Sequence, residues 1–383
     1  MDFELTSEQR MIQESARRMA EREIDPILKR HDPDSPLPKE AAREIKKIGA
    51  RQGLTAARIP ESAGGAGMSA LTLGLMMEQL PVAAFFLCGD AVATRVYHGG
   101  SAEQRERYLP ALIAGDAFGC SGITEASGGS DPRGIRTKAV RDGDHMIVNG
   151  HKMWVSGAAI CDMMLVTASL GKDERGRNIL VRIMIEQAQS PFIRKGIKTM
   201  GLRQGHLGEA IFDDCRVPVR NVIGEPGDVS RVLTETWLVQ RPLFGLLAVN
   251  MAQKALDAAV NYAGERVVFG RKIGGFQLVQ KLLADISMAV TTSRLLCYYA
   301  LSCIDNGQRA NHITAMAKRY SIAACQKAVS MAMEVHGAMG ISCELGLERL
   351  YRDIRMLPIP DATNQILTLI EGRELTGIPA YQG

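Results

Sequence analysis

The spacing of apolar residues changes twice along this chain, and that double switch restricts the fold more than any single motif. From Thr6 to about Ile113 the spacing is helical. Thr6, with Glu8 and Gln9 behind it, marks a helix start, and residues 71–80 and 105–113 carry apolar side chains at helical intervals. Pro26, Pro33, Pro36, Pro38 and Pro60 punctuate this region. Between Gly119 and about Val222 short β-type segments take over (145–148, 163–168, 179–185 and 209–212), separated by turns such as R-D-G-D and K-D-E-R-G-R. From Val229 onward, long Ala/Leu/Val-rich stretches with few breakers return (243–268, 278–305 and 313–335). The expectation is an α+β chain: N-terminal helices, a middle β barrel or sandwich, and a C-terminal helical bundle, divided at 1–117, 118–226 and 227–383.

Composition narrows the class. At 383 residues and 46% hydrophobic, the chain is long enough for a large core of two or three subdomains. The net charge of +4 comes from 46 basic and 42 acidic residues spread along the chain, without a Lys/Arg block, which argues against a nucleic-acid partner. Eight cysteines are scattered without C-x-x-C spacing, as expected for reduced core thiols and not for a metal site. The N-terminus is charged where a signal peptide is apolar, and no uninterrupted apolar run is long enough to span a bilayer. A soluble, cytoplasmic protein without a membrane partner is expected.

Chemistry concentrates between residues 122 and 157. The segment opens with G-I-T-E-A-S-G-G-S-D and closes with N-G-H-K-M-W-V-S-G. Glycines permit close backbone approach, hydroxyls and amides bind oxygens, and an indole covers a ring face, a combination suited to a flat phosphate-bearing cofactor such as a flavin. Two glycine-rich turns in a β domain would give the same composition.

Ordered motifs carry a resemblance. T-E-A-S-G-G-S-D is similar to the T-E-P-x-x-G-S-D flavin motif of acyl-CoA dehydrogenases, and W-V-S to their W-I-T. R-x-x-F-G-R-x-I-x-x-F-Q runs from Arg266 to Gln277, H-G-A-M-G covers 336–340, and Y-R-D covers 351–353. The chain resembles that family from end to end. The resemblance implies a helical N-terminal domain, a middle β-barrel domain and a C-terminal four-helix bundle, assembled as a tetramer or dimer around FAD. It also implies an acyl-CoA substrate and an electron-transfer flavoprotein as electron acceptor. By motif position, Ser121, Ile123 and Thr124 would lie along the flavin, Ser130 would bind a phosphate and border the substrate, and Trp154 and Ser156 would cover the ring and bind its edge. Arg266 and Gln277, with the turn carrying Glu334, Gly337 and Gly340, would hold the pyrophosphate and adenosine of a neighbouring subunit's FAD. Thr363 and Gln365 would complete the cofactor site, and Arg241 and Ala362 would border the thioester. Read singly, Arg266 is a solvated helix charge, Trp154 a core anchor and His336 a satisfied core histidine; the ordered set outweighs those readings.

Departures from the pattern point at the substrate. Ala126 replaces a Pro, Ser156 a Thr, Glu334 a Gln and Ala338 a Gly; Ser keeps the hydroxyl chemistry, while Glu334 places an acid near the adenosine. In P-I-P-D-A-T-N-Q the family's E-G-T becomes D-A-T, so its base, a Glu, is here Asp361. An Asp is shorter by about 1.5 Å, and roughly 1 Å of misplacement can cost about 100-fold. The family's alternative base position holds Gln240, which takes no proton. Asp90, in A-F-F-L-C-G-D-A-V-A-T, either caps a helix starting at Ala91 or is a carboxylate in the acyl pocket with its pKa raised toward neutrality. A base there would act beyond the α carbon. Such a proton is acidic only when a double bond conjugates it to the thioester, as in cyclohex-1-ene-1-carbonyl-CoA losing a proton at C3 and a hydride at C6. A short, branched or cyclohexane-1-carbonyl substrate with Asp361 as base is the alternative, and an acyl-CoA oxidase or a non-catalytic flavoprotein of this fold lies further off.

Overall fold

The computed structural model of the chain describes residues 4–131 and 134–380. Seven helices come first: α1 (Ser7–Met19), α2 (Asp25–Lys29), α3 (Lys39–Arg51), α4 (Ala70–Met77), α5 (Val82–Leu87), α6 (Ala91–Gly99) and α7 (Ala102–Ile113). Thr6 starts α1 as the sequence predicts, its hydroxyl accepting from the Gln9 N–H while the Gln9 side chain accepts from the Thr6 N–H.

Eight strands then form one mixed sheet: β1 (Gly119–Gly122), β2 (Lys138–Asp142), β3 (His145–Val155), β4 (Met163–Lys172), β5 (Asn178–Glu186), β6 (Ile193–Gly196), β7 (Gly208–Pro218) and β8 (Val222–Ile223). The order is β6-β7-β3-β2-β4-β5-β8, with β1 parallel to β4. The continuous apolar run of β4 follows from burial on both faces. Met164, Val166 and Ala168 join the sheet core, whereas Met163 and Leu165 pack with Val92, Val96, Tyr108 and Leu112 of α6 and α7. This seats α6 on the sheet. A Cβ on Gly119 would come within 2.8 Å of Leu112 and 3.1 Å of Val92, so a larger residue there would push β1 away from these helices.

The remaining elements are α8 (Val229–Glu265), β9 (Val267–Val268), β10 (Arg271–Lys272), α9 (Gln277–Asp305), α10 (Asn311–His336), α11 (Leu347–Met356) and α12 (Asn364–Thr376). The 243–268 expectation is corrected at both ends. Helix α8 runs through Pro242, which removes one backbone N–H without ending the helix, and it stops at Glu265. Val267 and Val268 instead pair with Lys272 and Arg271 across Phe269 (φ 51°) and Gly270 (φ 75°), the two left-handed residues of a tight hairpin. Residues 235–265 are long and apolar enough to cross a membrane by length and composition, yet Leu246, Leu247, Val249, Met251, Ala252, Ala255 and Ala259 are all fully buried in the bundle.

Polar ties fix the helical layers against one another. Glu78, at the end of α4, accepts from Arg294 of α9 at 2.7 Å and from Tyr298, while its carbonyl accepts from Asn250 of α8 at 2.7 Å. Asp162 pairs with Lys39 of α3 at 2.5 Å and accepts from the Phe118 N–H at 2.9 Å, joining the N-terminal helices to the sheet.

Candidate active site

The two halves of the 122–157 signature meet at the ends of β1 and β3, where the Met153 N–H donates to the Thr124 carbonyl at 2.9 Å. Glu125, from the middle of the first motif, is an internal strut. It accepts from Lys152 at 2.7 Å, the Arg136 N–H at 2.7 Å, the Thr137 N–H at 2.9 Å and the Thr137 hydroxyl at 2.6 Å. Burial pushes its carboxyl up, but these donors outweigh it and hold the pKa at about 2. Lys152, fully buried and drawn down to about 8 by burial, also donates to the Ile123 carbonyl at 3.0 Å. Sequence reasoning missed both roles; the signal was a Glu and a Lys sitting inside otherwise small and polar motifs.

On that strut sit the residues expected to face a flavin. Trp154 is 53% exposed and holds φ 59°, beside a register shift between Lys152 and Val155 that turns it out of the sheet. It is no core anchor. An indole held outward by a strained backbone, flanked by the Thr124 and Ser156 hydroxyls that make no hydrogen bond within the described residues, fits a flat ring with polar edges. Ile123 is half-buried, packed against Ile135, Leu180, Val229 and Leu233, and the Ser121 hydroxyl donates to the Leu165 carbonyl at 3.4 Å. Ser130 is exposed on the adjoining loop. Thr363 caps α12, its hydroxyl accepting from the Ile366 N–H at 3.4 Å, with Gln365 exposed on the first turn.

A second group collects at one end of the bundle. Arg266 follows α8, Gln277 opens α9, Glu334 lies in the last turn of α10 with Gly337 and Gly340 in the turn after it, and His336 stacks on Tyr262 of α8 at 4.5 Å. Arg266, Gln277, Glu334 and Gly337 are exposed. His336 is a satisfied core histidine, its Nδ1 2.8 Å from the Ala332 carbonyl. Gly340 is required by packing, since a Cβ there would lie 2.1 Å from the Met333 carbonyl oxygen.

A cavity is lined by Phe86, Leu87 and Gly89, which precede α6, and by Ser156, Gly157 and His206. The buried Nε2 of His206 has no hydrogen-bond partner among the described residues, and burial lowers this imidazole's pKa; sequence reasoning passed over the residue. Asp90 occupies the N-cap position of α6, as one reading expected, but its side chain does not cap the helix. Half-buried, its carboxyl has its pKa raised by burial, against a pull downward from Thr94 and from the Arg58 N–H, 3.5 Å away.

Asp361 lies across the site in the turn between α11 and α12. Asp361 (φ 50°) and Ala362 (φ 77°) are consecutive left-handed residues, and Lys318 of α10, fully buried, donates to the Pro360 carbonyl and, at 2.7 Å, to the Ala362 carbonyl. Burial raises the Asp361 carboxyl, opposed by the fields of Lys318, Arg95 and Arg241. Arg241 of α8 is buried and donates to Asn311 at 2.8 Å. Arg95 of α6, 4% exposed and lowered to about 10 chiefly by burial, stands in the fields of both Asp361 and Asp90. The structure thus gathers the three expected residues Asp90, Asp361 and Arg241 around two cations that sequence reasoning missed, Arg95 and Lys318. Arg95 stands alone in a helical apolar run and Lys318 sits beside Arg319 in another, and in both places the sequence reads as solvated helix charge. Arg203, on the segment between β6 and β7, pairs with Asp34 at 3.2 Å.

Comparison with known proteins gives one answer. The family models described as acyl-CoA dehydrogenase N-terminal, middle and C-terminal domains match residues 6–116, 120–215 and 230–376. The probable acyl-CoA dehydrogenase YngJ of Bacillus subtilis is 32% identical, covering 98% of this chain and 100% of its own. Butyryl-CoA dehydrogenase of Megasphaera elsdenii superposes with a TM-score of 0.90 at 27% identity, covering 98% of this chain and 100% of that one. A glutaryl-CoA dehydrogenase of Mycobacterium smegmatis in complex with FADH2 does so at 0.89 and 25%, covering 99% and 97%.

Proposed function

The chain belongs to the acyl-CoA dehydrogenase family, flavin-dependent oxidoreductases that use FAD, and from that premise we propose that it oxidises cyclohex-1-ene-1-carbonyl-CoA to a cyclohexadiene-carbonyl-CoA. The observation that carries this reading is Asp90: a half-buried carboxyl beside the Gly89 wall of the cavity, raised by burial and not spent on capping α6. Bound FAD would supply the two-electron acceptor for the hydrogen leaving C6, with an electron-transfer flavoprotein as the onward acceptor.

The protein's own groups divide the remaining work. Asp90 removes the C3 proton, made acidic by conjugation through the ring double bond to the thioester. Trp154, Thr124 and Ser156 hold the cofactor's ring, and Ser130 its phosphate side. Arg241, with Arg95 and Lys318 nearby, gives the acyl end a positive field in which developing negative charge is stabilised. The bundle-end group of Arg266, Gln277 and Glu334 to Gly340 serves the cofactor of a second copy in a homotetramer.

One observation favours a second reading. The two left-handed residues at 361 and 362, tied down by Lys318, re-aim the turn that carries Asp361, and that re-aiming offers a way for the shorter side chain to reach the α carbon of a cyclohexane-1-carbonyl or short branched acyl-CoA. Anaerobic mixing with cyclohex-1-ene-1-carbonyl-CoA separates the two. Bleaching of the oxidised-flavin absorbance with a conjugated diene as product supports Asp90; bleaching only with saturated acyl-CoAs transfers the role to Asp361.

A further inference from the structure

Helix α3 turns three basic residues toward the Phe118 ring: Lys39 at 5.9 Å, Arg43 at 6.0 Å and Lys46 at 5.1 Å. Asp162 pairs with the first two, at 2.5 and 4.0 Å, and leaves the third without an anion. Lys46 is 5% exposed and makes no hydrogen bond or ion pair among the described residues. The neighbouring Cys88 thiol is pushed up to about 12 by burial and stays neutral. Lys46 lines the same cavity as His206, whose Nε2 is likewise buried with no hydrogen-bond partner among the described residues. The His206 backbone is pinned there, its carbonyl accepting from the Gly157 N–H at 3.0 Å while the next carbonyl, that of Leu207, accepts from the Ile197 N–H at 2.9 Å.

Much of the remaining wall is apolar, including Phe86, Leu87, Ile160, Leu207 and Met356. An amine and an imidazole without partners are costly to bury against such a surface, and they are expected where a ligand supplies the missing group. The pair sets that group's chemistry. Burial lowers Lys46 to about 8, which leaves it an ammonium at pH 7, a donor only. Burial also lowers the pKa of His206 and keeps its imidazole neutral, with one ring nitrogen free to accept. A hydroxyl accepts from the first and donates to the second, whereas a carboxylate or a carbonyl oxygen only accepts. Ser156, at the cofactor end, and Gly89, next to Asp90, line the same cavity, so the ligand it holds is the acyl group under oxidation. We infer that Lys46 and His206 bind a hydroxyl carried on the acyl portion of the substrate, so that the enzyme takes hydroxylated acyl-CoAs. The inference rests on the acyl-CoA reading of the site. On a ring that gives up hydrogen at C3 and C6, the hydroxyl stands at C4 or C5, the saturated carbons that the oxidation leaves unchanged.

The test uses thioethers, which lack the thioester carbonyl and are not oxidised. S-(4-hydroxycyclohexylmethyl)-CoA and S-(4-methylcyclohexylmethyl)-CoA, each as its cis and trans isomers, are titrated calorimetrically into the FAD-loaded wild type and into Lys46→Met and His206→Leu. Hydroxyl and methyl are close in size, so apolar burial favours the methyl analogue and only hydrogen bonding favours the other. The better hydroxyl isomer binds the wild type about tenfold or more tightly than the better methyl isomer, the order reverses in Lys46→Met, and His206→Leu keeps part of the preference. Equal or tighter binding of the methyl analogue to wild type overturns the inference and leaves the acyl-CoA reading intact. A hydroxyl preference undiminished in both variants overturns it too, because the oxygen is then held elsewhere. Failure of every analogue to bind the loaded enzyme overturns the acyl-CoA reading and the inference with it. If Lys46→Met does not fold, the wild-type preference and its reduction in His206→Leu decide.

Discussion

Lys152 and Glu125 form an ion pair at 2.7 Å with their side chains 0% and 6% exposed, and this pair joins the two halves of the cofactor signature. Neutralising one partner strands the other. Glu125→Gln should cost about 3–5 kcal/mol, the range for breaking a buried pair from one side, and should release FAD as the loops at 122–131 and 149–157 lose their common anchor. Denaturant midpoints and the flavin absorbance per chain check both halves of this expectation; an unchanged midpoint would remove the strut from the account.

The same carboxyl makes a pH prediction. Its folded pKa of about 2 lies below the ordinary 4.5, so its stabilisation is fully present above about pH 4.5 and is lost as pH falls toward 2. A shift of that size corresponds to roughly 3 kcal/mol. Urea melts between pH 5 and pH 2 should show the decline in wild type, and Glu125→Gln should flatten that part of it.

Ala362 carries a backbone conformation that suits glycine. At φ 77° its Cβ is strained, and Ala362→Gly should relieve about 1 kcal/mol, offset in part by the added freedom of the unfolded chain. Lys318→Met acts the other way on the same turn. It frees the Pro360 and Ala362 carbonyls and lets Asp361 drift, so if Asp361 is the base, kcat should fall by about 100-fold with FAD still bound. An Ala362→Gly variant that melts lower than wild type would show that the turn depends on the alanine methyl.

The architecture was legible because periodicity reports which face of an element is buried. The β4 run read as a strand and α1 announced itself through its capping box, whereas the limits of α8 did not read correctly. Pro242 looks like a helix start, and V-V-F-G-R continues an apolar helical pattern until two left-handed residues fold it into a hairpin. In the site, motif residues were legible singly, and Asp90, Asp361 and Arg241 were named from the sequence. Arg95 and Lys318 were not, because a basic residue in an apolar helix stretch looks the same whether it snorkels to water or closes a charge cluster with residues distant in the chain. His206 was missed for the same reason: its meaning lies in the cavity it borders.

The two aspartates predict distinct kinetic outcomes. Both carboxyls are raised above the ordinary aspartate value by burial, and a base works deprotonated, so kcat/KM should fall as pH drops through that raised pKa. Asp90→Asn should lose about 100- to 10,000-fold in turnover of cyclohex-1-ene-1-carbonyl-CoA while retaining FAD. Asp361→Asn should be milder with that substrate and severe with cyclohexane-1-carbonyl-CoA. The reverse ranking would make Asp361 the sole base and reduce Asp90 to lining the pocket.

Trp154 separates cofactor binding from stability most clearly, because its two contributions have opposite signs. Its indole is 53% exposed and contributes little to the core, while its φ of 59° strains the backbone. Trp154→Gly should therefore leave the FAD-free protein at least as stable, with a gain of up to about 1 kcal/mol from relief of that strain. The same change removes a ring-stacking surface worth roughly 0.5–1.5 kcal/mol, so FAD affinity should fall by up to about tenfold. Melting the FAD-free protein and titrating FAD by fluorescence quenching measure the two effects separately. A variant that loses 2 kcal/mol or more without FAD would return Trp154 to the core-anchor role that its exposure argues against.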